Sequence, residues 1–238
     1  MLPRRRREPV APSRRSRLVG LPLLSVVAAA AGALLILIAV VTGGGAQPTQ
    51  RPASPGVAVA GRFSGLPAAG YVLGRADAPV TIDLYEDFQC PACRHWGQAV
   101  FPALAANELA SGRAKLVFHH FAFLGPESVT AAQGAYAAAR QGQFWDYWAA
   151  LYANQGPENG GSITPARLTA LAIDLGMDGP RFGSDMGSQK AATVVGASIA
   201  DARRLGVDST PTLIVDGRRL VGASYAELSS AIADAAAN

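Results

Sequence analysis

A run of 24 residues without a charge, Leu18 to Val41, follows directly on a block of arginines, and this feature decides how the rest of the chain can be organised. At 1.5 Å per residue a helix over it reaches ~36 Å, against a hydrocarbon core of roughly 30 Å, so it can span a bilayer. A buried globular helix is the alternative, but soluble helices rarely run this long without a charge behind an arginine block. The pattern predicts a basic cytoplasmic tail over 1–17 and one transmembrane helix over 18–42. Everything beyond lies outside the cytoplasm, because positive flanks stay inside. An uncleaved signal anchor is favoured over a removable signal, whose apolar region is ~7–15 residues, although Gly44-Gly45-Ala46 offers small residues for cleavage after Ala46. No cysteine follows the run, which excludes a lipoprotein.

The formal charge of +4 has the same origin. Seven of the 21 basic residues (Arg4, Arg5, Arg6, Arg7, Arg14, Arg15 and Arg17) precede Leu18 with only Glu8 against them, leaving 14 to face 16 acidic residues in the body. The body is therefore net negative, and nucleic-acid binding loses its support. Residues 43–67 hold six Gly and four Pro, with Arg51 and Arg62 as their charges, and read as a linker. As a flexible coil it spans ~25–30 Å root-mean-square.

Residues 68–238 read as one mixed α/β domain. Val80 to Tyr85 is a strand by its β-branched and aromatic content, Ala114 to Phe121 is a second, and a helix from Pro91 to about Leu109 lies between them. That order favours a parallel pair. Helices follow over Glu127 to Gln141, Phe144 to Asn154, Thr164 to Leu175 and Gln189 to Leu205, bounded by Gly142, Gly156, Gly176 and Gly206. Thr212 to Val215 and Arg218 to Val221 flank Asp216-Gly217 as a two-residue hairpin, and Ser224 with Glu227 forms a capping box for a last helix.

The two cysteines stand in Cys90-Pro91-Ala92-Cys93, at the junction of the first strand and its helix. Backbone N–H groups of a helix start point at a sulfur placed there and favour thiolate over thiol. Lowering a cysteine pKa from ~8.5 to ~6 takes ~3.4 kcal/mol, of which a helix dipole supplies about 0.3–2. Hydrogen bonds from the helix-start amides and the second thiol must provide the rest. The spacing also lets Cys93 attack a mixed disulfide formed at Cys90. A purely structural bridge is disfavoured, because a four-residue loop gains only ~2 kcal/mol from closure. A metal pair supplemented by His95, His119 or His120 lacks the usual second ligand motif. An inert buried pair conflicts with the helix-start location. His95, two residues beyond Cys93, could aid the thiolate electrostatically, but reads first as a solvated helix residue. His119 and His120 alternate faces of a strand, so one packs and one is exposed. Phe144, Trp145, Trp148 and Tyr152 recur at helical spacing and read as core.

Tyr85-Glu86-Asp87-Phe88-Gln89-Cys90-Pro91-Ala92-Cys93, Gly142 to Tyr147, Leu151-Tyr152-Ala153-Asn154-Gln155 and Gly206-Val207-Asp208-Ser209-Thr210-Pro211-Thr212 resemble the DsbA-like thiol:disulfide oxidoreductases. The likeness runs from about Gly74 to Asn238. It implies a thioredoxin fold with a helical domain inserted over about 125–190. It also implies that Cys90 is the exposed nucleophile, that Cys93 is the resolving thiol, and that Pro211 is a cis-proline facing them. Backbone groups of Thr210 would then pair with an extended substrate. From the residues alone, Pro211 could equally start a strand in trans.

Two departures stand out. The family often carries a buried acid six residues before the first cysteine, where this chain has Leu84, and nothing in the sequence assigns Glu86 or Asp87 a part in proton transfer. Strong oxidants of the family can place His between the cysteines, where this chain has Ala92.

No FAD, NAD or metal motif is present, so no cofactor is expected. Expected partners are exported proteins with cysteine thiols and, by resemblance, a membrane reoxidase of the DsbB or vitamin K epoxide reductase type. A disulfide reductase or isomerase kept reduced by a membrane donor, and a tethered peptide-holding chaperone with a structural disulfide, are the competing readings. A reporter fused after Asn238 is expected to be active outside the cytoplasm, and activity confined to the cytoplasm would overturn the topology.

Overall fold

The computed structural model describes residue 63 and residues 65–237. The expected tail over 1–17, the membrane span over 18–42 and most of the linker lie outside the described residues. Among the described residues, no helix is long and apolar enough to cross a membrane.

Two short strands, β1 (Ala68–Ala69) and β2 (Val72–Leu73), form a hairpin that leads to β3 (Val80–Glu86). β3 is the central strand. It pairs in parallel with β4 (Ala114–His120) and antiparallel with β5 (Thr212–Val215), which is followed by the edge strand β6 (Arg218–Val221). The sheet order is β1-β2-β4-β3-β5-β6. Alternation along β3 serves two covered faces. Ile82 and Leu84 have no exposed surface and join the main core, while Tyr85 joins a smaller cluster with Phe121, Ala202 and Val207.

The parallel β3–β4 pair requires a crossover, but the single helix expected from Pro91 to Leu109 is broken. α1 (Pro91–Ala99) ends at Val100, α2 (Phe101–Leu104) restarts the path, and a π-helical turn (Ala105–Leu109) completes it. Pro102 carries no N–H for the preceding turn, so the helix cannot continue unbroken through it. The π-turn buries Glu108, which accepts hydrogen bonds from Arg113 Nε at 2.9 Å, Tyr225 Oη at 3.0 Å and Ser229 Oγ at 3.2 Å. These bonds tie the crossover to the last helix.

Between β4 and β5 the chain builds α3 (Pro126–Ala139), α4 (Phe144–Ala153), α5 (Pro165–Asp174), α6 (Gly179–Met186) and α7 (Gln189–Arg204). α3 to α6 form the inserted helical block. α6 was not legible in the sequence, because its Gly, Pro and Asp content imitates a loop. Asp178 nonetheless caps it by accepting from the Arg181 amide at 2.9 Å, and its apolar residues Phe182 and Met186 are buried. The hairpin turn has positive φ at both Asp216 (47°) and Gly217 (75°), which suits Asp-Gly. α8 (Tyr225–Ala236) opens with the Ser224–Glu227 capping box.

The linker expectation needs one correction. Phe63, the one aromatic residue in 43–67, is buried, with ring centroids 5.6 Å from Phe101, 6.0 Å from Trp145 and 6.2 Å from Trp148. An aromatic ring gains too much from leaving water to stay in a tether when a neighbouring aromatic cluster can receive it. The packed domain therefore reaches back at least to Phe63.

Trp148 also explains a glycine inside a helix. A Cβ on Gly97 of α1 would lie 2.9 Å from Trp148 Cη2, so the bare backbone is what lets α1 and α4 approach. Gly97→Ala is expected to destabilise the domain by about 1–3 kcal/mol in denaturant unfolding, although alanine is the better helix former by about 1 kcal/mol. An unchanged or raised unfolding midpoint would show that Trp148 yields freely.

Candidate active site

β3 delivers the chain to one end of the sheet, and the turn Asp87-Phe88-Gln89 carries it to the start of α1. Asp87 has no exposed surface and organises this turn. Its Oδ1 accepts from the Gln89 amide at 2.9 Å, and its Oδ2 accepts from the amides of Phe123 at 2.9 Å and Leu124 at 3.0 Å. The segment after β4 is thereby held against the turn.

Cys90 is the N-cap of α1, with extended backbone (φ −71°, ψ 118°) and Pro91 in the first turn. Proline at this position sacrifices no helix hydrogen bond, and the amides of Ala92 and Cys93 are left to face the Cys90 sulfur. Both cysteines are free thiols. Cys90 is less open than the resemblance implied: it retains 8% of its surface, and Cys93 retains none. Pro91 and Ala92 are exposed at the tip.

The two sulfurs are driven apart in acidity. Cys90 is lowered to about 6, chiefly by a hydrogen bond from the Cys93 thiol. Partial burial opposes this, while the Thr210 side chain and the backbone amides of Cys93 and Ala92 add to it. Thr210 Oγ1 is buried with no hydrogen-bond partner among the described residues, so its hydroxyl can turn to the thiolate. A thiol of pKa about 6 is about 90% ionised at pH 7. Cys93 is pushed well above the ordinary thiol value by burial, by its bond to Cys90 and by the Glu86 charge.

The loop before β5 faces this pair. The Thr210–Pro211 peptide is cis, and the Cys90 thiol donates to the Thr210 carbonyl at 3.4 Å. Cys90 and Cys93 thus meet Thr210 and Pro211 at one end of the sheet, with Thr210 120 positions from Cys90 in the chain.

The three histidines stand elsewhere. His95 is exposed on α1. His119 bonds Asp83 at 2.7 Å and stacks on Tyr85, whereas His120 is buried against Tyr71 Oη at 3.2 Å. Burial, with His119 adding, lowers His120 to about 3. Among the described residues, no group of three or more His, Cys, Asp or Glu side chains is placed to hold a metal ion.

Glu86 is the site residue that sequence reasoning left without a role. It lies two residues beyond Leu84 on the same face of β3, one pleat nearer the cysteines than the position singled out by the resemblance. Its Oε2 accepts from Trp148 Nε1 at 2.7 Å and Tyr152 Oη at 3.2 Å, and its Oε1 is buried without a partner among the described residues. Burial pushes its pKa up to about 8 against those two bonds, with Cys90 adding to the rise. The readable signal was the i, i+4 pair Trp148 and Tyr152, whose polar tips needed an acceptor.

A family model described as thioredoxin matches residues 68–234. The chain belongs to the thioredoxin family, among its DsbA-like thiol:disulfide oxidoreductases. The probable disulfide bond formation protein D of Bacillus cereus is 31% identical over 149 residues, which cover 61% of this chain and 69% of that protein. The Na(+)/H(+) antiporter NhaA 1 of Salinispora arenicola is 34% identical over 172 residues, which cover 71% of this chain and only 25% of that one. The crystal structure of oxidised BdbD from Bacillus subtilis superposes with a TM-score of 0.66 at 24% identity, covering 71% of this chain and 94% of that one. The last match shows the same fold: a thioredoxin α/β frame with a helical insertion.

Glu86 makes stability depend on pH. Its value in the folded chain, about 8, lies above the ordinary 4.5, so the stability it lends as a neutral acid is complete below about 4.5 and is lost as pH rises to about 8. The stability gap between wild type and Glu86→Gln is expected to move against wild type by up to about 1.4 kcal/mol per pH unit across that window. Taking the difference removes the opposite contribution of Cys90, whose lowered pKa adds stability as pH rises from about 6 toward 9. Denaturant unfolding of both reduced proteins from pH 5 to 8 measures it, and a constant gap would show that Glu86 is charged throughout.

Proposed function

We propose that this thiol:disulfide oxidoreductase forms disulfides in exported proteins, held at the outer face of the cell membrane by the segment over 18–42, with Cys90 as the exchanging sulfur and Cys93 as its resolving partner. The observation that carries the reading is the placement of Cys90 at the N-cap of α1 against the cis Thr210–Pro211 peptide with Cys93 fully buried behind it, a setting that lowers Cys90 to about 6 and raises Cys93 well above the ordinary value. The name carried by the Bacillus cereus relative, a disulfide bond formation protein, supports the oxidative direction.

The exchange starts from the oxidised Cys90–Cys93 pair. A substrate thiolate attacks Cys90 Sγ, forming a mixed disulfide as the Cys90–Cys93 bond breaks. Cys93 leaves with the electron pair and takes up a proton, consistent with its high pKa. The second substrate thiolate then attacks its own partner sulfur, and Cys90 departs as a thiolate. A sulfur of pKa about 6 leaves more readily than an ordinary thiol, which favours this step over reversal. The substrate has lost two electrons and the enzyme holds them as two reduced sulfurs. A membrane reoxidase of the DsbB or vitamin K epoxide reductase type, passing the electrons to a quinone, would restore the disulfide. In this reading Thr210 and Pro211 hold the substrate backbone beside Cys90, and no dissociable cofactor takes part.

Cys90→Ser is expected to abolish exchange, and Cys93→Ser to accumulate covalent adducts with substrate proteins, visible on non-reducing gels. Adducts on Cys90→Ser instead would exchange the two roles. Retention of function with both cysteines as serine would point to a peptide-holding chaperone. The equilibrium of the pair with glutathione decides direction: an easily reduced pair fits an oxidase, and a strongly reducing pair fits the reductase reading.

A further inference from the structure

In the turn that presents Cys90, the Asp87 carbonyl accepts from the Cys90 amide at 3.0 Å, and side chains of the inserted block add further bonds to the turn. Tyr152 Oη, on α4, donates to the Asp87 carbonyl at 3.2 Å. Gln89 is held by its side chain: its Nε2 donates to Ser128 Oγ at 2.8 Å and to Asn159 Oδ1 at 3.3 Å, while its Oε1 accepts from the Asn159 amide at 2.6 Å. Gln155, two residues past the end of α4, goes one step further. Its Nε2 donates to the Phe88 carbonyl at 2.9 Å and to the Cys90 carbonyl at 3.0 Å. Of the side chains in these bonds, Gln155 is the one that reaches the backbone of the N-cap cysteine itself.

The chemistry of a carboxamide suits this place. One nitrogen carries two N–H donors in a plane, so it can serve two carbonyls at once without bringing a charge to the sulfur. The Cys90 carbonyl also accepts the first helical bond, from the Arg94 amide at 3.2 Å. The tilt of that carbonyl and the direction of the next two amides belong to the same stretch of backbone. Whatever fixes the carbonyl therefore fixes how the Ala92 and Cys93 amides face Sγ.

We propose that Gln155 is a positioning residue for thiol exchange: through its carboxamide, the inserted helical block holds the N-cap of α1 in the orientation that aims the Ala92 and Cys93 amides at the Cys90 sulfur. The inference rests on the reading of Cys90 as the exchanging sulfur. It gives the inserted block a part in the reaction beyond covering the sheet, although Gln155 touches neither sulfur nor substrate.

The test is the pH profile of Cys90 alkylation in the reduced protein, with mass mapping of the modified residue, alongside the melting temperature. Gln155→Met keeps the length of the side chain and removes both donors. Its alkylation midpoint is expected to rise by about one pH unit, which is about tenfold less thiolate at acidic pH, with a near-wild-type melting temperature. Gln155→Glu keeps the shape but, once ionised, turns an acceptor toward two carbonyls. It is expected to raise the midpoint at least as far, and it carries the test if the methionine variant does not fold. A midpoint unmoved in the folded variants, even with a lowered melting temperature, would reduce Gln155 to a structural bond and overturn the inference. A wild-type profile with an ordinary thiol midpoint at Cys90 would overturn the functional reading and this inference together.

Discussion

The hydrogen bond from the Cys93 thiol to the Cys90 sulfur is the interaction around which this end of the molecule is built. It is the largest influence lowering Cys90 and one of those raising Cys93. Such a bond works only if one sulfur is denied solvent while the other keeps some, and the fold provides that inequality. β3 and its covered faces bury Cys93 completely, while the exposed Pro91-Ala92 tip leaves Cys90 a narrow opening. The first turn of α1, with two residues between the cysteines, then puts both sulfurs and two backbone amides within reach of one another.

The cost of that arrangement is a group of buried polar atoms that must be served from elsewhere. Glu86, Asp87 and Gln89 all have 2% exposure or less at the edge of the redox turn, and each is held by bonds that cross to the next layer. Trp148 and Tyr152 of α4 supply Glu86, and the segment after β4 supplies Asp87. The helical block is thus more than a lid: buried acceptors of the turn would stand unsatisfied without it. Glu86 is the exception that remains partly unserved, and burial accordingly favours its neutral form.

Much of the frame was legible in the amino-acid sequence, because it rests on local chemistry. Strand–helix–strand order, the Asp216-Gly217 turn, the Ser224–Glu227 capping box and the placement of Cys90 at a helix start each follow from a few neighbouring residues. So did the division of His119 and His120 into one packed and one exposed ring, from strand alternation, while the structure decided that His120 is the buried one. What escaped was either masked by composition, as in the Gly-Pro-Asp helix α6, or set by a single blocking group, as in the break that Pro102 puts into the crossover. Phe63 was read as linker because its neighbours are Gly, Ser and Arg, and only its distant aromatic partners show that it belongs to the core.

By itself, then, the sequence determined the α/β order, the redox motif and its helix-start setting, since each depends on backbone propensities and spacing within a few residues. The tertiary structure alone decided which polar groups surround that motif. Thr210 reaches Cys90 across 120 positions, Gln155 across 65, and Trp148 reaches Glu86 across 62. Contacts at such separations leave no periodic trace in the chain. They exist because burying the sheet face forces these segments together, and only then does a carboxamide or an indole N–H find the acceptor it serves.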